Sequence, residues 1–531
     1  MIYHSTRSKE EQADSRQAVL CGLCRDGGLF VTDALGAEKL DAEALLPLSY
    51  EEMALRIFRI LLDDYTEAEL RSAVTAAYKG TFSSDAVTPL TKLSDDWLLE
   101  LYHGPTCAFK DVALCMLPQL VSLSLPGTGK QVMVVTATSG DTGKAALNGF
   151  QDVPHTAITV FYPDGKVSDI QRLQMATQEG KNTAVCGIRG NFDDAQSAVK
   201  AIFESELGAE LSERGILLSS ANSINIGRLV PQIVYYFEAY KALRRKKVIG
   251  AGEPVDFCVP TGNFGDVLAG YYAKRMGLPV RKLIVASNEN NVLTEFIRTG
   301  IYDRRRPFHK TISPSMDILI SSNLERLLYD LSGGDTAYIA SLMQSLRDKG
   351  YYELKPALLE KLQETFSAGY ADDAETRRTI KETYEQTGRL IDPHTAVGRS
   401  VMLKFRQAFG SAGCASDSQA ADSINAGSIG SDSKGLGSAG SGGHSAVPCV
   451  LLSTASPFKF CRDVYEAIYG ELPAGADGFE AMRLLSERSG EKPPEALSRL
   501  SQKPVLHKDV INVSDMKMYV QKKALALLQM E

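Results

Sequence analysis

The chain has 531 residues, 44% of them hydrophobic and 23% charged, which suits a globular protein with sizeable cores and roughly two to four domains. A net charge of -7 argues against nucleic-acid binding, which favours a basic stripe. No run reaches the ~18 apolar residues of a membrane span, so neither nucleic acid nor a membrane is an expected partner.

The opening "MIYHSTRSKEEQ" lacks the apolar core of a signal peptide, and the nine scattered cysteines do not suggest a disulfide framework. A cytoplasmic, reducing setting is therefore expected. Cys21 and Cys24 form a C-x-x-C without a second pair or nearby histidines, so no metal site is expected. The basic runs at 241–248 and 303–310 read as solvated helix ends or loops.

Residues 1–90 are predicted to be a small N-terminal helical domain. "SYEEMALRIFRILLDDY" and "TEAELRSAVTAAY" carry apolar residues near a 3.6 period. From 91 to 531, β-branched runs alternate with helical patterns. Strands are predicted at 131–138, 157–163, 255–260 and 281–287, most of them followed by a helix, and a late, isolated one at 449–456. This alternation predicts α/β architecture with parallel sheets and right-handed crossovers. A mostly helical insertion is expected at about 300–390, densest from 324. The Ser/Gly/Ala-rich stretch 411–447 cannot bury enough apolar area to offset its ordering entropy and is predicted to be a disordered surface loop.

Three strand-to-helix junctions could gather an anion on backbone N–H groups. The first, "TATSGDTGKAAL", holds Ser139, Gly140, Asp141, Thr142 and Gly143. The second, "PTGNFGDVLAG", holds Gly262, Asn263, Phe264, Gly265 and Asp266. The third, "ANSINIGRL", holds Ser223, Asn225 and Arg228. Neither a dinucleotide G-x-G-x-x-G nor a P-loop is present. In "HGPTCAFKDVALCMLPQL" a single lysine, Lys110, stands at the mouth of an apolar segment. An apolar wall can lower an amine's pKa and make it a nucleophile or base. A lysine with phosphate-binding turns in a parallel α/β chain suggests pyridoxal phosphate. On these residues alone a helix-start or ion-paired lysine remains the alternative.

The ordered set "HGPTCAFKD", "TATSGDTGKAA", "NSINIGRL", "PTGNFGDVLAGYYAKRMGLP" and "STASPFKF" resembles the threonine synthase family of pyridoxal-phosphate enzymes, in its longer bacterial and fungal form. "GLFVTD" and "IDPHTAVG" fit too, so the resemblance covers nearly the whole chain. It departs at the 411–447 stretch, and at Cys107, where a small or apolar residue is more usual. The resemblance implies the tryptophan-synthase-β-like, fold-type II architecture: two parallel-sheet α/β subdomains and a small N-terminal domain. It also implies conversion of O-phospho-L-homoserine and water to L-threonine and phosphate.

By resemblance, Lys110 holds the cofactor and, once freed, serves as base at the substrate's Cα. Gly262, Asn263, Phe264, Gly265 and Asp266 hold the cofactor phosphate, and Thr454 faces the pyridine nitrogen. Ser139, Asp141 and Thr142 bind the substrate carboxylate. Ser223, Asn225 and Arg228 bind the substrate phosphate, with Arg172 a weaker candidate. A related phospho-lyase releasing 2-oxobutanoate, or a non-catalytic cofactor-binding relative, would share many of these residues. Monomer and homodimer are both open.

Overall fold

The structure, a computed structural model, describes residues 1–411 and 447–528; most of the predicted loop at 411–447 lies outside them. Two sheets organise the catalytic region. A five-stranded, all-parallel sheet runs in the order Asp509–Asn512, Thr183–Arg189, Thr156–Pro163, Gln131–Ala137, Ile216–Ser219. A six-stranded sheet runs Phe366–Tyr370, Val280–Ser287, Val255–Pro260, Cys449–Ser453, Asp96–Glu100, Leu90–Leu93; only the last strand is antiparallel. Strands such as "TAITVFYP" and "VDFCVP" are buried throughout, as expected of parallel strands covered on both faces by helices.

The strand that looked isolated in sequence sits mid-sheet, with Cys258 opposite Leu451 on one side and Leu98 opposite Leu451 on the other. The stretch expected to be a helical insertion also supplies the edge strand Phe366–Tyr370, which pairs with Val280–Ser287. Its five residues are too few for an alternation signal to emerge between helices.

The N-terminal segment is not purely helical. Tyr3–Ser5, Gln12–Ala13 and Phe30–Val31 form a small antiparallel sheet ahead of the helices Tyr50–Leu61 and Glu67–Tyr78, each opened by a capping box. Nor does it have a core of its own. Val19, Met53 and Phe58 belong to the same apolar cluster as Leu229, Val230 and Ile233. Those last residues lie on Ile226–Arg245, a long helix buried along most of its length. It packs against Tyr50–Leu61, Lys110–Leu114 and Gly265–Arg275, and so links the N-terminal segment to both the lysine and the second turn.

Candidate active site

All three anion-type turns follow the C-terminal end of a parallel strand and open a helix: Asp141–Phe150, Ile226–Arg245 and Gly265–Arg275. That is where open α/β sheets bind ligands. One cavity is lined by Phe109, Lys110, Thr142, Asn222, Ser223, Arg228, Gln232, Thr261, the run Gly262–Asp266, Ser315, His394 and Thr454. Most of the sequence-predicted site residues therefore meet in one place.

The turn at 262–266 fits a phosphate. Phe264 holds the left-handed φ of 63° and caps Gly265–Arg275 without a side-chain hydrogen bond, a costly conformation that leaves the first helical N–H groups open. Gly262 is required: a Cβ there would stand 2.7 Å from the Ser315 carbonyl oxygen. Asn323 ties this turn to its neighbour, its Nδ2 donating to the Asn263 carbonyl and to Ser223 Oγ, each at 3.0 Å. Asp266 Oδ1 accepts from Tyr235 and Tyr236 at 2.5 and 2.9 Å, while its Oδ2 has no partner among the described residues. Burial, opposed by those two phenols, pushes the Asp266 carboxyl up to about 6.

Lys110 begins a short helix tied to Thr454, whose carbonyl accepts from the Phe109 N–H at 2.8 Å. Its Nζ lies 3.5 Å from Asp141 Oδ2 and 3.4 Å from Ser315 Oγ. Burial lowers the amine's pKa; Asp141 works against this, and Lys459 and Arg228 add to it. A larger fraction of neutral amine results, as a nucleophile needs.

Arg228 is 2% exposed. Its Nη1 donates to the Ala221 carbonyl at 2.8 Å. Among the described residues its Nε has no partner and no carboxylate pairs with it. Burial lowers its pKa to about 10, yet it stays a cation at neutral pH. A buried, uncompensated guanidinium facing a cavity is costly unless an anion completes it.

Several sequence assignments need correction. Asn225 cannot bind substrate phosphate: its Nδ2 donates to the Val19 and Ser220 carbonyls at 2.9 and 3.1 Å, and its Oδ1 accepts from the Gly227 N–H at 2.9 Å. It caps the helix that carries Arg228, and Asn222 takes its place at the cavity wall. The Asp141 side chain is not a carboxylate receptor. Burial would raise its pKa, but Lys459 and then Lys110 hold it far below the usual range, so it has no proton to donate. Ser139 and Arg172 are half-buried and off the cavity wall.

Lys459, Asn222, Gln232, Ser315 and His394 were missed. Lys459 sits between two phenylalanines in an apolar run, the same signal that singled out Lys110. His394 Nδ1 lies 2.8 Å from Asp392 Oδ1, and its Nε2 accepts from the Ser315 N–H at 3.1 Å; it holds the Ser315 loop over the cavity. Ser315 and Gln232 carry no local signal.

Comparison with known proteins places this geometry. Residues 2–78 match the family described as "Threonine synthase N terminus", and residues 84–413 match "Pyridoxal-phosphate dependent enzyme". The threonine synthase of Pseudomonas aeruginosa is 37% identical over 480 residues, covering 89% of this chain and 92% of that protein. The chain belongs to the threonine synthase family. The crystal structure of PLP-bound threonine synthase from Brucella melitensis superposes with a TM-score of 0.80 at 36% identity, covering 99% of each chain. Human "Threonine synthase-like 1" is 42% identical over 403 residues, 72% of this chain; the chain spans about half (53%) of that relative's length. The family's fold is fold-type II and its cofactor is pyridoxal phosphate. The open helix end at 262–266, the strained Phe264 and the Lys110 amine, its pKa lowered by burial, fit that cofactor. No helix among the described residues is long and apolar enough to cross a membrane.

Proposed function

We propose that the chain is a threonine synthase, converting O-phospho-L-homoserine and water to L-threonine and phosphate. The observation that carries this reading is Arg228: a buried cation with no carboxylate partner among the described residues, in the same cavity as Lys110 but on a different turn from 262–266. A cavity with one phosphate site would serve many pyridoxal-phosphate enzymes. A second anion site is what a phosphorylated amino acid requires.

Lys110 would bond the cofactor, Gly262–Asp266 would hold its phosphate, and Thr454 would face its ring nitrogen. Bound pyridoxal phosphate supplies an electron sink for charge developing at the substrate's Cα. Thr142 and the N–H groups opening Asp141–Phe150 would receive the substrate carboxylate. Arg228, Ser223 and Asn222 would grip the substrate phosphate as it departs. The Lys110 amine, its pKa lowered by burial and standing in the same cavity, would take the proton from Cα and return it. The free thiols among the described cysteines suit a cytoplasmic setting.

Incubating the cofactor-loaded protein with O-phospho-L-homoserine and identifying the products tests the reading. L-Threonine with equimolar phosphate is expected. 2-Oxobutanoate with phosphate would make the protein a phospho-lyase, and no phosphate release would leave it a non-catalytic relative.

A further inference from the structure

Lys459 has no task in the scheme above, yet its side chain is fully buried. Its Nζ lies 2.8 Å from Asp141 Oδ1 and 2.9 Å from the Thr106 carbonyl oxygen. Asp141 thus stands between two lysines, with Lys110 at 3.5 Å on its other oxygen. Gln171 Nε2 also donates to Oδ1 at 2.9 Å. The carboxylate is held more closely by Lys459 than by Lys110.

A buried amine beside a carboxylate of its own would stay protonated, because the ion pair favours the charged form. A protonated amine cannot bond a carbonyl carbon. We propose that Lys459 is a positioning residue that acts through Asp141: by claiming that carboxylate it withholds full ion pairing from Lys110, and so sets the pH above which the Lys110 amine can bond the cofactor. In that step the nitrogen lone pair of Lys110 bonds the aldehyde carbon. The aldehyde oxygen leaves as water with the two amine protons. The proposal rests on Lys110 being the residue that bonds the cofactor.

The groups facing Lys110 come from five other elements. They are Asp141, Lys459 on the turn Pro457–Phe460, Arg228 on Ile226–Arg245, Asp266 on Gly265–Arg275 and His394 on Pro393–Ser411. On its own helix, Asp111 is turned away, its oxygens accepting from the Thr106 N–H and Oγ1 at 2.8 and 2.6 Å. Asp141 is therefore the carboxylate nearest the amine, and Lys459 is the cation that competes for it. Direct repulsion between the two lysines acts in the same direction.

The test uses the full 531-residue chain, stripped of cofactor with hydroxylamine. Pyridoxal phosphate is added between about pH 6 and about pH 10, and the rate of borohydride-trapped label on the Lys110 peptide is followed. Lys459→Met and Lys459→Gln should both move the midpoint of this rate profile upward by about one pH unit or more, and Asp141→Asn should move it downward. Gln retains a donor toward Asp141 and the Thr106 carbonyl, so an equal shift in Gln and Met assigns the effect to charge rather than packing. An unmoved midpoint in Lys459→Gln would overturn the proposal. So would shifts of the same sign in Lys459→Gln and Asp141→Asn. If neither Lys459 variant melts cooperatively and Asp141→Asn leaves the midpoint in place, Lys459 is structural and the proposal falls. Absence of label on Lys110 in the unsubstituted protein would instead remove the reading on which it rests.

Discussion

Lys110, Lys459 and Arg228 share a largely buried region with Asp141 and Asp266, and their pairing decides what each substitution does. Lys110→Ala leaves Asp141 with Lys459, Gln171 and its buried surroundings, so folding should survive while cofactor can no longer be fixed to the protein by borohydride. Retained fixation, read by mass spectrometry, would sink the assignment. Arg228→Ala should preserve cofactor attachment and lose turnover, at a cost of about 2–5 kcal/mol in transition-state stabilisation, because the substrate's phosphate then loses the guanidinium that pairs with it in a desolvated cleft. Parallel titrations with cofactor and with O-phospho-L-homoserine check this; an equal loss of cofactor affinity would make Arg228 structural. Asp266 gives a pH signature. Its folded pKa of about 6 lies above the unfolded value, so its contribution to stability is fully present below the unfolded pKa and is lost as pH rises through about 6. The loss is on the order of 2–3 kcal/mol. In the cofactor-free protein, Asp266→Asn should therefore gain stability relative to wild type between about pH 4 and about pH 7. Denaturation midpoints that stay parallel across that range would refute it.

At the scale of elements, the helices carrying Lys110 and Asp141 are locked together at a glycine. A Cβ at Gly149, on Asp141–Phe150, would sit 2.0 Å from the Leu114 carbonyl oxygen, at the end of Lys110–Leu114. Gly149→Ala must push these helices apart, and overpacking of this kind typically costs about 1–3 kcal/mol. Since the same shift moves Lys110 away from Asp141, cofactor affinity should fall along with the melting temperature. A variant destabilised but with unchanged cofactor affinity would show that the helix contact does not set the spacing of the two residues. Ser49 and Glu52, or Thr66 and Glu69, show the opposite case: these capping boxes are local, readable from four residues, and remote from the cavity.

At the scale of the molecule, the N-terminal segment is part of the site's foundation. Asn225 caps the helix bearing Arg228 and at the same time donates to the Val19 carbonyl at 2.9 Å. The buried Arg326 donates through Nε to the Phe30 carbonyl at 3.0 Å and through Nη2 to the Ile224 carbonyl at 2.6 Å. Removing residues 1–78 would expose the apolar side of Ile226–Arg245 and leave these buried donors unpaired. The shortened chain should not melt cooperatively by calorimetry or circular dichroism. A single transition within a few degrees of the full chain would establish the catalytic region as an independent unit.

By itself the sequence determined the features that depend on neighbours along the chain. Val- and Ile-rich runs became buried parallel strands, and the glycines and hydroxyls after them became turns opening helices. Lys110 alone could have been a helix-start or ion-paired lysine; it stood out through its place in an ordered set of motifs that resembles one family. The tertiary structure alone decided everything that depends on pairing across the chain. The strand at 449–453 became central because Cα partners hundreds of residues away flank it. Asn225, a plausible phosphate donor by type, was consumed by Val19 and Ser220, since a buried amide takes the nearest carbonyls. Asp141, expected at the substrate's carboxylate, was captured by Lys459, because an ionised oxygen in a dry interior must be matched by a cation. No spacing in the sequence encodes that match; it exists only where two sheets and three turns converge.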